Sequence, residues 1–469
     1  MKKFEFDEFD DLDNLNDFND ENKADAVPEE EENGSSLKED ENSKKAKKGK
    51  KEKKGKKGLR VKINSLVQRN EDKREYNDAI YTDKLTAAKL DTAKPLQKGS
   101  VDIWFLLWAM ILLCFGIVMC YSAGVVDAME SYDNPLHYLV RNIIFSVVAI
   151  AITIPCVIFV RPWMWRAFSI IAYAAAVVLL IAVLFVGTVG GGAERWIAIG
   201  PITVQPSEIA KLAVVMVLAL YLEKYEKQVN STQKFGGHFK HGFLMPMIFI
   251  GVLCALIIGQ PHISGVMIVG IIGVAVMFMG GTRLRWIFML LAFIAVAFLV
   301  LITVFSSYAQ ARLDIWLHID EVDPLGEAWQ TLQGLNAIGS GGFFGLGLGA
   351  SRQKYGYVPE PQNDFIFTII CEELGFIGAF GLIFLFGLLI WRGIKIGQNA
   401  PDKFSALVVW GLTFKIALQV AMNIAVVTNM MPNTGISLPF FSAGGSALML
   451  QIFEVGIILS ISRYSVQKK

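Results

Sequence analysis

The chain has 469 residues, with 44 lysines and arginines against 43 aspartates and glutamates, 53% hydrophobic residues and a mean hydropathy of +0.45. This is too apolar for a soluble globular protein that also carries a strongly charged end, so a wholly soluble fold is excluded. The net charge of +1 hides a polar first hundred residues followed by an apolar remainder.

Residues 1–42 are rich in Asp, Glu and Asn, and a lysine run follows over 44–57. Such sequence cannot bury enough apolar surface to fold, so 1–95 is expected to be a disordered cytoplasmic tail. Upstream of a membrane span, the lysines are expected to meet anionic lipid headgroups, and nucleic acid is not expected as a partner. The first forty residues do not have the pattern of a cleaved leader, so the first span is expected to act as its own insertion signal.

From residue 96 to 469 the chain reads as one all-α polytopic membrane domain. Apolar runs near the ~20 residues that span a bilayer occur at 101–123, 138–160, 166–187, 207–222, 242–259, 264–280, 286–305, 365–391, 403–428 and 446–462. The basic clusters at 161–166, 224–240, 283–285, 392–395 and 463–469 fall on one side if the count is ten. The positive-inside rule makes that side the cytoplasm, with both termini inside and a large extracytoplasmic loop, 306–364, between helices 7 and 8. Cys114, Cys120, Cys156, Cys254 and Cys371 all sit in apolar segments without paired or metal-like spacing, and read as small core residues.

Four segments on the other side, 190–208, 260–265, 320–364 and 432–446, are dense in Gly, Pro and polar residues, and function is expected there. The glycine run 339–349 lacks the preceding strand and the Gly-Lys-Ser/Thr ending of a nucleotide P-loop, so close backbone packing is the simpler reading. Asp364 immediately precedes the apolar run 365–391. It is either an N-cap, which Asp favours, or a carboxylate placed at the mouth of a span for proton transfer. Glu208 and Lys211 lie one helical turn apart on one face of the fourth run. Ionisable groups inside a span are costly unless paired, so the pair is either functional or a clamp between helices, and Lys415 and Glu454 raise the same alternatives. Arg195-Trp196 suits an anionic phosphate or sugar at the interface, or a Trp-anchored loop with a snorkelling arginine.

Four stretches then carry a resemblance over about 101–462: Arg195-Trp-Ile-Ala-Ile-Gly-Pro-Ile-Thr-Val-Gln-Pro-Ser-Glu-Ile-Ala-Lys211; Trp329-Gln-Thr-Leu-Gln333 with Ala337-Ile-Gly-Ser-Gly-Gly342; Gln353-Lys-Tyr-Gly-Tyr-Val-Pro-Glu360 with Asn363-Asp-Phe-Ile-Phe367 and Glu372-Glu-Leu-Gly375; and Pro432-Asn-Thr-Gly-Ile-Ser-Leu-Pro-Phe-Phe-Ser-Ala-Gly-Gly-Ser446. The chain resembles the SEDS family of RodA, FtsW and SpoVE proteins, and its last two motifs look most like the FtsW division type. The resemblance implies a multi-pass protein of the bacterial cytoplasmic membrane that polymerises lipid II into peptidoglycan glycan strands. It implies a class B penicillin-binding transpeptidase as partner, with other divisome or elongasome membrane proteins. It makes Asp364 the catalytic residue and points to Arg195, Glu208, Lys211, Gln333, Lys354 and Ser442 as substrate-binding. No cofactor is certain, and a divalent cation is the one left open; Arg195, Lys211 or Arg352 are the other candidates for meeting the diphosphate. Three departures stand out: Gln362-Asn363 where many members have His-Thr, Pro261-His262 where many have Pro-Asp, and Ser442-Ala443-Gly444-Gly445 where many have Ser-Tyr-Gly-Gly. The competing expectations are a lipid II flippase and a non-catalytic scaffold.

Overall fold

The computed structural model describes residues 99–190, 193–199, 202–230, 238–260, 262–290, 316–319, 326 and 328–464. The expected tail over 1–95 and most of the seventh apolar run lie outside the described residues; of that run, 286–290 is helical.

The chain opens with α1 (Ile103–Tyr132), α2 (His137–Phe159) and α3 (Pro162–Val186). Asp102 caps α1 by accepting from Phe105 N at 3.0 Å, while Pro162 starts α3 where a missing N–H costs nothing. At 30 residues α1 runs well past its apolar stretch, because 125–132 holds neither Gly nor Pro. It stops only at Asp133 in the left-handed region.

Between α3 and the next helix lies a departure from the all-α expectation. Strands β1 (Thr188–Gly190), β2 (Ala193–Ile199) and β3 (Ile202–Val204) form an antiparallel sheet in the order β1-β2-β3, with Ile199 paired to Ile202 and Ile197 to Val204. The β-branched residues of Ile197, Ile199, Ile202, Thr203 and Val204 favour this pleated arrangement over another helical turn.

Helix α4 (Pro206–Lys224) follows, then α5 (Met245–Ile258), entered through a π-helical turn at Lys240–Leu244, and α6 (Ile263–Met279). After the partly described region come α7 (Trp329–Ser340), α8 (Ile366–Gln398), α9 (Lys403–Val427) and α10 (Gly445–Ser462). Among the described residues, seven helices are long and apolar enough to cross a membrane: α1, α2, α3, the continuous helix Lys240–Ile258, α8, α9 and α10. The protein is therefore a multi-pass membrane protein. Helix α6 is shorter, and α4, which carries Glu208, Lys211, Glu223 and Lys224, is a largely buried strut. Every residue from Ala210 to Ala219 is buried, all round the helix, against α3, α6 and α9.

Two features shape the end of the bundle where the motifs meet. The stretch 432–446 does not stay at the surface. Phe440 and Phe441 are buried, and the Phe440 carbonyl abuts Gly116 midway along α1, an approach that any Cβ would block. Helix α8 is broken at Gly375 (φ 66°, ψ −164°), and the main-chain groups freed there are taken up by the glycine run. Leu346 N donates to Glu372 O and Gly347 N to Glu373 O, both at 2.9 Å, while Phe376 N donates to Gly342 O at 3.0 Å. The run 339–349 is thus a stitch across a helix break, as close backbone packing requires. Gly345 has φ +78° and lies against the Glu373 carbonyl. Gly345→Ala is expected to destabilise the protein by about 2–3 kcal/mol, through left-handed strain and backbone overlap. Thermal unfolding in detergent checks this, and a melting temperature equal to wild type would show that the stitch is dispensable.

Candidate functional site

Asp364 stands just before α8 and is partly exposed. The N-cap of α8 is Phe365, which makes no side-chain cap hydrogen bond, and Asp364 stands one residue before it. Its main chain is clamped: Asn423 Nδ2, from α9, donates to both Asp364 O and Ile436 O at 2.7 Å. Asn423 is 1% exposed, and this one amide joins the 359–364 loop to the 432–446 stretch. Gly435, at φ +60°, lies beside the carboxylate; a Cβ there would fall 3.4 Å from Asp364 Oδ2. Gly334 of α7 packs on the Phe365 ring, which brings the helix carrying Gln333 to the same place. Further ties run from Asn433 Nδ2 to Gln330 Oε1 at 2.9 Å and from the Ser264 hydroxyl to the Thr434 carbonyl.

Behind Asp364 sits a second polar group. Gln362, 3% exposed, donates through Nε2 to Asp127 Oδ2 at 3.1 Å, and the Tyr138 hydroxyl donates to the same oxygen at 2.5 Å. The Gln362 carbonyl accepts from Ala443 N at 3.2 Å, so this network braces the 432–446 stretch as well. Gln362 fills a place for which the resemblance suggested histidine, and it does so as a structural brace.

The expected site residues are distributed unevenly. Gln333 is half-buried on α7 and accepts only weakly from Asn336, at 3.4 Å. Ser442 Oγ accepts from Gly444 N at 3.1 Å, which makes it a turn-former at the entry to α10. Lys354, another of the residues expected to bind substrate, is buried. Its side chain is 2% exposed and donates to Gly349 O at 2.7 Å and Glu373 Oε1 at 3.1 Å. An ammonium so placed ties the 349–354 loop to the break in α8. Glu373 also accepts from Ser122 Oγ at 2.7 Å, and its neighbour Glu372 accepts from Ser351 Oγ at 2.5 Å and Arg352 N at 2.9 Å. These two buried carboxylates anchor 351–354 to the break in α8.

Glu208 and Lys211 form an ion pair, as their spacing implies. The structure joins to it the two other charges noted in the spans: Lys415 Nζ donates to Glu454 Oε1 at 2.6 Å and lies 4.0 Å from Glu208 Oε2. Arg195, half-buried on β2, and Lys211 both act electrostatically on His262, at the corner between α5 and α6. Burial first, and then these two cations, push the His262 imidazole down to about 4, so it is neutral at pH 7. The described parts of segments 190–208, 260–265, 320–364 and 432–446 therefore meet at one end of the bundle, with a partly exposed carboxylate and buried cations among them. Among the described residues, no group of three His, Cys, Asp or Glu has the geometry to hold a metal ion. Asn423, Asp127 and Tyr138 were not anticipated; a lone Asn within an apolar run was the available signal for the first.

Comparison with known proteins agrees with this architecture. Residues 103–467 match the family model of FtsW, RodA and SpoVE, described as cell cycle proteins. Stage V sporulation protein E of Bacillus subtilis is 38% identical over 372 residues, covering 79% of this chain and 99% of that protein. A probable peptidoglycan glycosyltransferase FtsW of Coxiella burnetii is 35% identical, covering 77% of this chain and 96% of its own. Among solved structures, a chain of a peptidoglycan synthase complex that coordinates polymerization and crosslinking aligns with a TM-score of 0.64 at 27% identity, over 78% of this chain and 99% of its own. The rod shape determining protein RodA of Thermus thermophilus aligns at 0.57 and 25% identity, over 78% and 98%. With the motifs gathered at one end of the bundle and the match running almost from α1 to the last residue, the chain belongs to the FtsW, RodA and SpoVE family of cell cycle proteins.

Proposed function

We propose that this protein is a peptidoglycan glycosyltransferase of the bacterial cytoplasmic membrane, polymerising lipid II at the outer face, with cell division as its setting. The observation that carries this reading is the clamped carboxylate: Asp364, held through its main chain by Asn423, faces the Gly435 backbone beside cation-bearing segments. In this reading Asp364 takes the proton from the sugar 4-hydroxyl of an incoming lipid II as that oxygen bonds to the anomeric carbon of the polyprenyl-diphosphate-linked strand. The bond from that carbon to the diphosphate breaks, and the anion departs. A diphosphate is a good leaving group, so one carboxylate suffices where ordinary glycosidases use two. Arg195 and Lys211 stabilise the departing charge, and Gln333 and Ser442 lie on the segments that frame the acceptor. A divalent cation would arrive bound chiefly to the substrate's phosphates, with few protein ligands.

The test is conversion of labelled lipid II to polymer by purified protein in vesicles, together with its partner transpeptidase of the class B penicillin-binding type. Transport of lipid II without polymer would favour a flippase, and neither activity a scaffold. The accompanying topology is ten spans with both termini inside and 1–95 as a solvated tail. In a cysteine-free background, single cysteines at Gly49, Gly237 and Gln398 should resist impermeant reagents in whole cells, whereas one at Ala350 should label. Labelling at 49 would overturn the inside placement of the N-terminus.

A further inference from the structure

The charge cluster behind Arg195 contains two members, Lys415 and Glu454, that the proposed reaction does not use. Its geometry is asymmetric. Glu208 Oε1 is hydrogen-bonded to Lys211, while Oε2 makes only a longer ion pair with Lys415 Nζ, at 4.0 Å and beyond hydrogen-bond distance. Lys415, whose side chain is 1% exposed, donates to Glu454 Oε1 and has further N–H groups to give. Glu454 Oε2 is buried and, among the described residues, has no hydrogen-bond partner. Glu208 therefore stands between two ammonium groups and is bonded to one. The Lys211 side chain is 4% exposed and that of Glu208 is 14% exposed, so an anion reaching for Lys211 meets Glu208 first.

We infer that Lys415 is a second berth for Glu208. When the diphosphate ester of the lipid-linked donor engages Lys211, Glu208 turns from Lys211 to Lys415, which Glu454 holds in position. This rests on the reading of Lys211 as a diphosphate contact and extends it to two positioning residues. The physical need is direct: a carboxylate and a diphosphate on one enclosed ammonium repel each other, and the displaced carboxylate cannot remain buried without a cation. Lys415, already 4.0 Å from Glu208 Oε2 and with N–H groups beyond the one given to Glu454, takes up the single charge of Glu208 in place of the more highly charged diphosphate with a movement of about one bond rotation, and Glu208 returns to Lys211 when the product leaves.

The test uses the full-length protein in vesicles, with lipid II kinetics and direct binding of undecaprenyl diphosphate. Lys415→Met is expected to raise KM on the order of tenfold, within the range of couplings between linked sites, with a much smaller change in kcat. Two charge-balanced double variants separate the berth from mere net charge. Lys415→Met with Glu208→Gln leaves no carboxylate to relocate and should return KM to near wild type. Lys415→Met with Glu454→Gln restores the same formal charge but no berth, and its KM should stay raised. Recovery in both doubles, or in neither, overturns the inference. Should Lys415→Met fail to fold, Glu208→Gln alone should lower KM, since Lys211 is then open to the anion; an unchanged or higher KM counts against the berth. Undecaprenyl diphosphate binding should follow the same order without turnover. A protein that binds in this order yet makes no polymer would sink the polymerase reading and leave the berth standing.

Discussion

Asp364→Asn is expected to lower lipid II polymerisation by about 100-fold or more, the usual contribution of a positioned general base and equivalent to about 2.7 kcal/mol of barrier. Asparagine has the same outline and cannot accept the hydroxyl proton. Asn423 holds the main-chain oxygen of residue 364, not its side chain, so the clamp survives the exchange. Any capping by residue 364 at the start of α8 is also kept, since Asn and Asp are comparable at helix N-termini. Gly435 presents bare backbone to the carboxylate, and an amide of equal size meets no new side chain there. Folding is checked by monodispersity in detergent and by retained binding to the partner transpeptidase. A well-folded Asp364→Asn protein that polymerises at near the wild-type rate would remove the carboxylate from the reaction.

The sequence made the membrane helices legible because each is a long apolar run, and runs are a local property. Even α4 was readable despite its charges, since 209–222 is apolar apart from Lys211. The three strands were not, because segments of three to seven residues beside glycines leave little period to detect. The charged pair Glu208 and Lys211 could be read from spacing on one helix, whereas its extension to Lys415 and Glu454 depends on how α4, α9 and α10 pack. Lys354 shows the reverse limit. Its motif marks it as important, but only packing reveals that it is bonded to Glu373 and the Gly349 carbonyl. A residue's chemistry is written in the chain, and its partners are decided by tertiary contact.

Asn423 is where that distinction has its largest consequence. Asn423→Leu keeps the approximate shape of a side chain that is 1% exposed but removes both donated bonds, leaving the Asp364 and Ile436 carbonyls short of a partner. Each buried carbonyl so stranded costs about 1–3 kcal/mol. Loss of the Asn423 Oδ1, itself buried without a hydrogen-bond partner among the described residues, offsets part of this. The protein is therefore expected to fold with lowered thermal stability. Activity should fall much further, because the 359–364 loop and the 432–446 stretch are no longer held in register. Displacing a catalytic group by about 1 Å costs on the order of 100-fold. The fall should appear in kcat more than in KM, since the cation-bearing segments are untouched. Combining Asn423→Leu with Asp364→Asn distinguishes positioning from general damage. If Asn423 acts by placing Asp364, the double variant should be scarcely slower than Asp364→Asn alone, as groups acting as one unit lose activity once. Multiplicative losses in the double variant would mean that Asn423 supports the fold without aiming the carboxylate, and that the site is positioned by other contacts.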